Sequence, residues 1–145
     1  MSQTAEVTRS TREVAEDWFD ALTRGDADSA FSLLDPDVEF INYTPVPGFN
    51  TDMQWIGTHH GTEAALQSLN VFLSICEVRF EELLKLIVED DEAIGVIHEI
   101  SSVRATGKEF DIEFVQRLTV RDGKIIRWKS YTDPSPIIRA LRSEG

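Results

Sequence analysis

The sequence predicts an α+β fold: a curved antiparallel β-sheet with N-terminal helices packed on its concave face, leaving a cone-shaped pocket between them. Three observations carry this. Apolar residues recur at helical spacing ahead of Cys76, the period changes from 3.6 to 2 after it, and turn signals at Glu89–Glu92, Thr106-Gly107 and Asp122-Gly123 divide the remainder into hairpin-linked strands. Helices gathered before strands, instead of alternating with them, place the helices on one side of the sheet. A length of 145 residues fits a single domain over 1–145.

The first helix opens at Ser10, with Glu13 three residues later completing a capping box. Val14, Trp18, Ala21 and Leu22 then recur on one face until Gly25 stops it. Asp26 caps a second, shorter helix whose buried stripe is Ala30, Phe31, Leu33 and Leu34, ended by Asp35-Pro36. A strand follows over Val38–Tyr43, and Pro45 to Gly61 reads mostly as loop. The third helix starts near Thr62 and Glu63, with Ala65, Leu69, Phe72, Leu73 and Cys76 on one face. Of the four strands beyond it the clearest alternates Phe110, Ile112, Phe114, Gln116, Leu118 and Val120 with a mostly polar set. Asp122-Gly123 fits a type I′ turn into Ile125–Asp133, and a short helix over Pro136–Arg142 closes the chain.

Asp and Glu number 26 against 14 Lys and Arg, a formal charge of −12 at pH 7. Such a chain lacks the clustered cations that phosphate binding needs, so neither nucleic acid nor an anionic membrane is expected as a partner. The single Cys76 cannot form an internal bridge, and no signal-peptide pattern opens the sequence, which fits a cytoplasmic protein. His59-His60 has no third ligand at suitable spacing, so no metal is expected.

Several motifs taken together resemble the nuclear transport factor 2-like superfamily, in particular its SnoaL-like, ketosteroid-isomerase-like and limonene-epoxide-hydrolase-like bacterial members. They are Trp18-Phe19-Asp20-Ala21-Leu22 with Gly25-Asp26, Phe40 to Pro45, Gly57, Gly61-Thr62-Glu63-Ala64-Ala65, and Asp122-Gly123-Lys124-Ile125-Ile126-Arg127-Trp128. The resemblance implies a cystatin-like α+β roll and says little about reaction, because the fold hosts isomerases, cyclases, hydrolases and non-catalytic proteins. In ketosteroid isomerases, which the sequence resembles, a Tyr, an Asp base and a protonated Asp do the work. Motif matching puts Trp18, Asn42 and Gln116 at those positions. The epoxide-hydrolase Asn is matched by Asn42 and its Tyr by Phe40, while its Arg and two Asp fall on Ile100, Ser102 and Ser130. Neither catalytic set is retained. Asp133 would take the vacant role only if a bulge reversed the parity of the last strand.

Period 2 groups Ile94, Val96, His98, Ile100 and Ser102 on one face, and the family match makes that face concave. His98 is then the expected proton-transfer group, or else a core histidine satisfied by a backbone carbonyl or Gln116. Trp18, Phe40 and Trp128 would line the pocket as stacking surfaces or plain core, and Asn42, Ile100, Ser102, Gln116 and Ser130 complete the ligand-binding set. The expected function is binding of a small apolar or carbonyl-bearing ligand, with cofactor-independent isomerase, cyclase or hydratase chemistry. The alternative is a non-catalytic ligand-binding or dimerisation module. Apolar residues on the second face of the strands (Leu83, Ile87, Ile97, Val103, Val115 and Tyr131) predict a homodimer.

Overall fold

The computed structural model describes residues 9–143. Helix α1 (Thr11–Thr23) starts where the sequence places it. The Ser10 hydroxyl accepts from the Glu13 N–H at 3.1 Å, and the Glu13 carboxylate accepts from the Ser10 N–H at 2.9 Å. Gly25, at φ 76°, turns the chain out of the helix. Asp26 caps α2 (Ala27–Phe31) by accepting from the Ser29 N–H at 3.1 Å.

Strands β1 (Leu34–Asn42) and β2 (Gly57–His60) form an antiparallel pair, followed by α3 (Thr62–Ile75). Strands β3 (Cys76–Glu89), β4 (Glu92–Val103), β5 (Glu109–Arg121) and β6 (Lys124–Tyr131) make a meander, and α4 (Ser135–Leu141) ends it. Asp122 and Gly123, at φ 53° and 78°, both have the positive φ of a type I′ turn.

The sheet order is β2-β1-β6-β5-β4-β3. Two features depart from the sequence reading. Residues 57–60, expected as loop, form an edge strand too short and polar to show a period. The sheet is mixed, because β1 runs parallel to β6. These two strands are joined by no hairpin, so no turn signal specifies their direction.

The parity of β4 is the third correction. Ala93, Gly95, Ile97, Glu99, Ser101 and Val103 are the buried residues of this strand, and Ile94, Val96, His98, Ile100 and Ser102 lie on the outer face. Gly95 faces α1 because the Phe19 ring, itself fully buried, lies directly over it. That contact sets the parity of the whole strand.

Candidate active site

The concave face of the sheet and helices α1 and α3 enclose a cavity of about 110 Å³. Its β1 wall carries Phe40 and Asn42 at period 2, and then Tyr43 as well. Tyr43 reaches the same cavity because its backbone is left-handed, φ 55°, which breaks the strand alternation. For a bulky residue that conformation costs about 1–3 kcal/mol, so the surrounding packing must hold it. Asn50, almost fully buried, organises the loop that follows: its Oδ1 accepts from the Val46 N–H at 2.7 Å and its Nδ2 donates to the Thr44 carbonyl at 3.0 Å. The loop delivers Trp55 to the cavity, edge-on to Phe72 with ring centroids 4.9 Å apart. His59 contributes by its Nε2, 3.1 Å from the Trp55 carbonyl to which it donates.

The inner end is held by Gln116, whose Oε1 accepts from both the Trp18 indole at 2.8 Å and the Trp128 indole at 3.0 Å. Two donors on one oxygen fix which end of the amide is which. Among the described residues nothing accepts from its Nε2, although Gln116 is only 4% exposed. Buried amide donors normally find a partner, so this group is available to a ligand acceptor. Trp128 is also stacked face to face on Phe40, centroids 3.9 Å apart.

Opposite this amide stands a pair of carboxyl groups. Glu99, on β4, and Glu81, directly across from it on β3, line the cavity. The Ser101 hydroxyl donates to Glu99 at 2.7 Å. Burial pushes the Glu81 carboxyl far above the ordinary carboxylate range, and the negative charge and hydrogen bond of Glu99 push it further. Burial raises Glu99 too, while the bonds from Ser101 and Glu81 favour its ionised form. Both carboxyls are therefore held above the ordinary range, and the pair keeps a proton to higher pH than a free carboxylate would. Burial also pushes the Tyr43 phenol up to about 12, with the Ser130 hydroxyl opposing and the Glu99 charge reinforcing the shift, so the phenol stays neutral.

Trp18, Phe40, Asn42, Gln116, Trp128 and Ser130 line the cavity as the sequence reading expects. His98, Ile100 and Ser102 do not. His98 lies on the outer face, its Nε2 2.8 Å from Asp111 and its ring edge-on to Phe80, because β4 has the opposite parity. Asp133 is exposed and accepts from the Ser135 N–H at 3.0 Å at the start of α4, away from the lining. Two carboxyl groups that motif matching does not place in the pocket, Glu81 and Glu99, line it. Since Glu99 and Ser101 are the inward residues of β4, the epoxide-hydrolase match on that strand is displaced by one residue. Among the described residues no group of three or more His, Cys, Asp and Glu side chains could hold a metal, and no helix is long and apolar enough to cross a membrane.

Comparison with known structures identifies the same architecture at low sequence identity. An NTF2-like protein of Burkholderia thailandensis matches with TM-score 0.81 and 21% identity, over 92% of this chain and 98% of the other. A candidate SnoaL-like polyketide cyclase of Mesorhizobium loti gives 0.71 and 22%, over 85% and 99% of the two chains. A Catenulispora acidiphila protein of ketosteroid-isomerase-like fold, in complex with trimethylamine, gives 0.70 and 15%, over 89% and 92%. Comparison with curated proteins finds no match. The SnoaL-like domain family matches residues 15–128, most of the chain and all of the cavity's sheet wall as far as Trp128. The chain therefore belongs to the SnoaL-like family, within the nuclear transport factor 2-like fold.

Proposed function

We propose that this protein is a cofactor-independent acid–base catalyst acting on a small, largely apolar, oxygen-bearing molecule, in the isomerase, cyclase or hydratase class. The observation that carries the reading is the Glu81–Glu99 pair, two carboxyls facing each other across β3 and β4 in a cavity otherwise lined mainly by aromatic and aliphatic side chains. Two carboxyls held in different protonation states supply a general acid and a general base at one pH. In this reading Glu81 gives its proton to the ligand oxygen while Glu99 removes a proton from the adjacent carbon, leaving an enol, and Glu99 then returns the proton at a second position as Glu81 takes back its own.

Deuterium exchange tests this. In D2O, small cyclic ketones and β,γ-unsaturated ketones are expected to exchange carbon-bound protons faster with the protein than in buffer alone. Glu99→Gln is expected to slow that exchange by about 100- to 10,000-fold. Ligands that bind without any exchange would favour the second reading, a non-catalytic binding module of the same fold.

The reading extends to assembly as a homodimer through the outer face of the sheet. Phe80, Leu84, Ile87 and Tyr131 are exposed there, around a row in which Val96 pairs with Val115 and Val115 with Tyr131. Ile97 and Val103 belong to the buried face instead, and Leu83 is partly buried against the core. Acidic Glu82, Asp111 and Glu113 lie towards one end of this face and basic Arg117 and Lys129 towards the other. A twofold axis near Val115 sets opposite charges against each other. Light scattering at micromolar concentration is expected to give twice the chain mass, and Val115→Lys to halve it. A monomeric wild type would refute the interface.

A further inference from the structure

Carboxyl groups withdrawn from water ionise readily only when a cation stands beside them. Among the described residues no Lys, Arg or His forms an ion pair with Glu81 or Glu99, and none lines the cavity. The walls are instead aromatic, with Trp18, Phe31, Tyr43, Trp55, Phe72 and Trp128 among them. Aromatic faces carry the negative side of the ring quadrupole and attract a desolvated cation. The cavity thus combines two acidic groups, many aromatic side chains and the amides of Gln116 and Asn42, and among the described residues no cationic side chain lines it.

We propose that the cavity is a binding site for a small organic ammonium ion, its charge lodged between the Glu81–Glu99 pair and the aromatic walls. The amide of Gln116 sits opposite Gly95, and Glu99 is four residues further along β4, roughly 13 Å of strand. A compact cation therefore sits at the glutamate end, and only a longer ligand also reaches the Gln116 amide. About 110 Å³ of free space suits a compact head such as trimethylammonium on a short stem. The chain's formal charge of −12 raises the local concentration of cations at its surface. The inference rests on the same cavity and carboxyl pair as the catalytic reading, and narrows its substrate class to amine-bearing compounds.

The test compares three ligands of one shape by calorimetry or ligand-observed NMR. They are choline, its neutral isostere with tert-butyl in place of trimethylammonium, and the anion tert-butylacetate. Choline is expected to bind, the neutral isostere about tenfold more weakly, and the anion least. In the Glu81→Gln/Glu99→Gln double variant, choline is expected to lose about tenfold in affinity while the neutral isostere stays within about twofold. Retained binding of the neutral isostere shows that the variant is folded. A neutral isostere that binds wild type as tightly as choline would overturn the ammonium proposal and leave the oxygen-bearing reading standing. Binding of none of the three would overturn the ammonium proposal, while the oxygen-bearing reading stands or falls on the exchange test.

Discussion

Glu81→Gln is expected to make the protein more stable than wild type at pH 8 and no more stable near pH 4. An unfolded Glu loses its proton at about 4.3, whereas burial and the Glu99 carboxylate hold the folded Glu81 proton to far higher pH. Between those two values the native state binds more protons than the unfolded state. Stability is therefore full below the unfolded value and falls as pH rises towards the folded one, by up to about 1.4 kcal/mol per pH unit. The sign is opposite to that of Asp26, whose carboxyl is held below its ordinary value by its bonds from Ser29. Gln copies the protonated acid: its amide can donate to Glu99 and it carries no charge to desolvate. Urea unfolding of both proteins from pH 4 to pH 8 should show curves that separate steadily above about pH 4.3. Parallel curves would mean that the pair is not held protonated. A residue that lowers stability at neutral pH and whose amide restores it is what a poised proton donor demands.

The helical half of this fold and the aromatic half of its cavity are legible in the sequence for local reasons. Ser10 with Glu13, Asp26, and Asp122-Gly123 each specify a cap or turn through their own backbone and side-chain chemistry, and each is found as read. On β5 only one face is consistently apolar, so Gln116 falls on the inner side without ambiguity. On β4 both faces carry aliphatics: Ile94, Val96 and Ile100 outside, Ala93, Ile97 and Val103 inside. Alternation there is real but does not say which face is core, and one step of parity exchanges His98 for Glu99. Strand β3 is harder still, because its pairing with β4 shifts between Val78 and Phe80 and again between Leu83 and Lys85, which hides the inward position of Glu81. One signal was present. A glycine in the middle of a strand marks the close approach of another element, and Gly95 on the helix side puts Glu99 and Ser101 in the cavity.

Gly95→Ala is the substitution expected to damage the fold most for its size. The backbone at Gly95 lies outside the left-handed region, so alanine is conformationally allowed, and on chain entropy alone it would stabilise. Space decides otherwise. A Cβ at this position would clash with the outer end of the Phe19 ring, 2.5 Å from one Cε carbon and 2.7 Å from the other. The ring cannot step aside cheaply, because Phe19 is fully buried on a helix also fixed by buried Val14, Ala15 and Trp18. Overpacking of this kind costs about 1–3 kcal/mol and at times more. Relief by lifting α1 would draw the Trp18 indole away from Gln116, so damage should reach the cavity as well as the core. Phe19→Leu removes the ring at the cost of a partial void, and in the double variant that void receives the new methyl group. The two substitutions together should therefore cost less than their sum, by about 0.5–3 kcal/mol. Chemical denaturation of the two single variants and the double variant gives this coupling directly. A Gly95→Ala protein as stable as wild type, or strict additivity in the cycle, would show that Phe19 does not set the parity of β4, and with it the placement of Glu99 in the cavity would lose its physical basis.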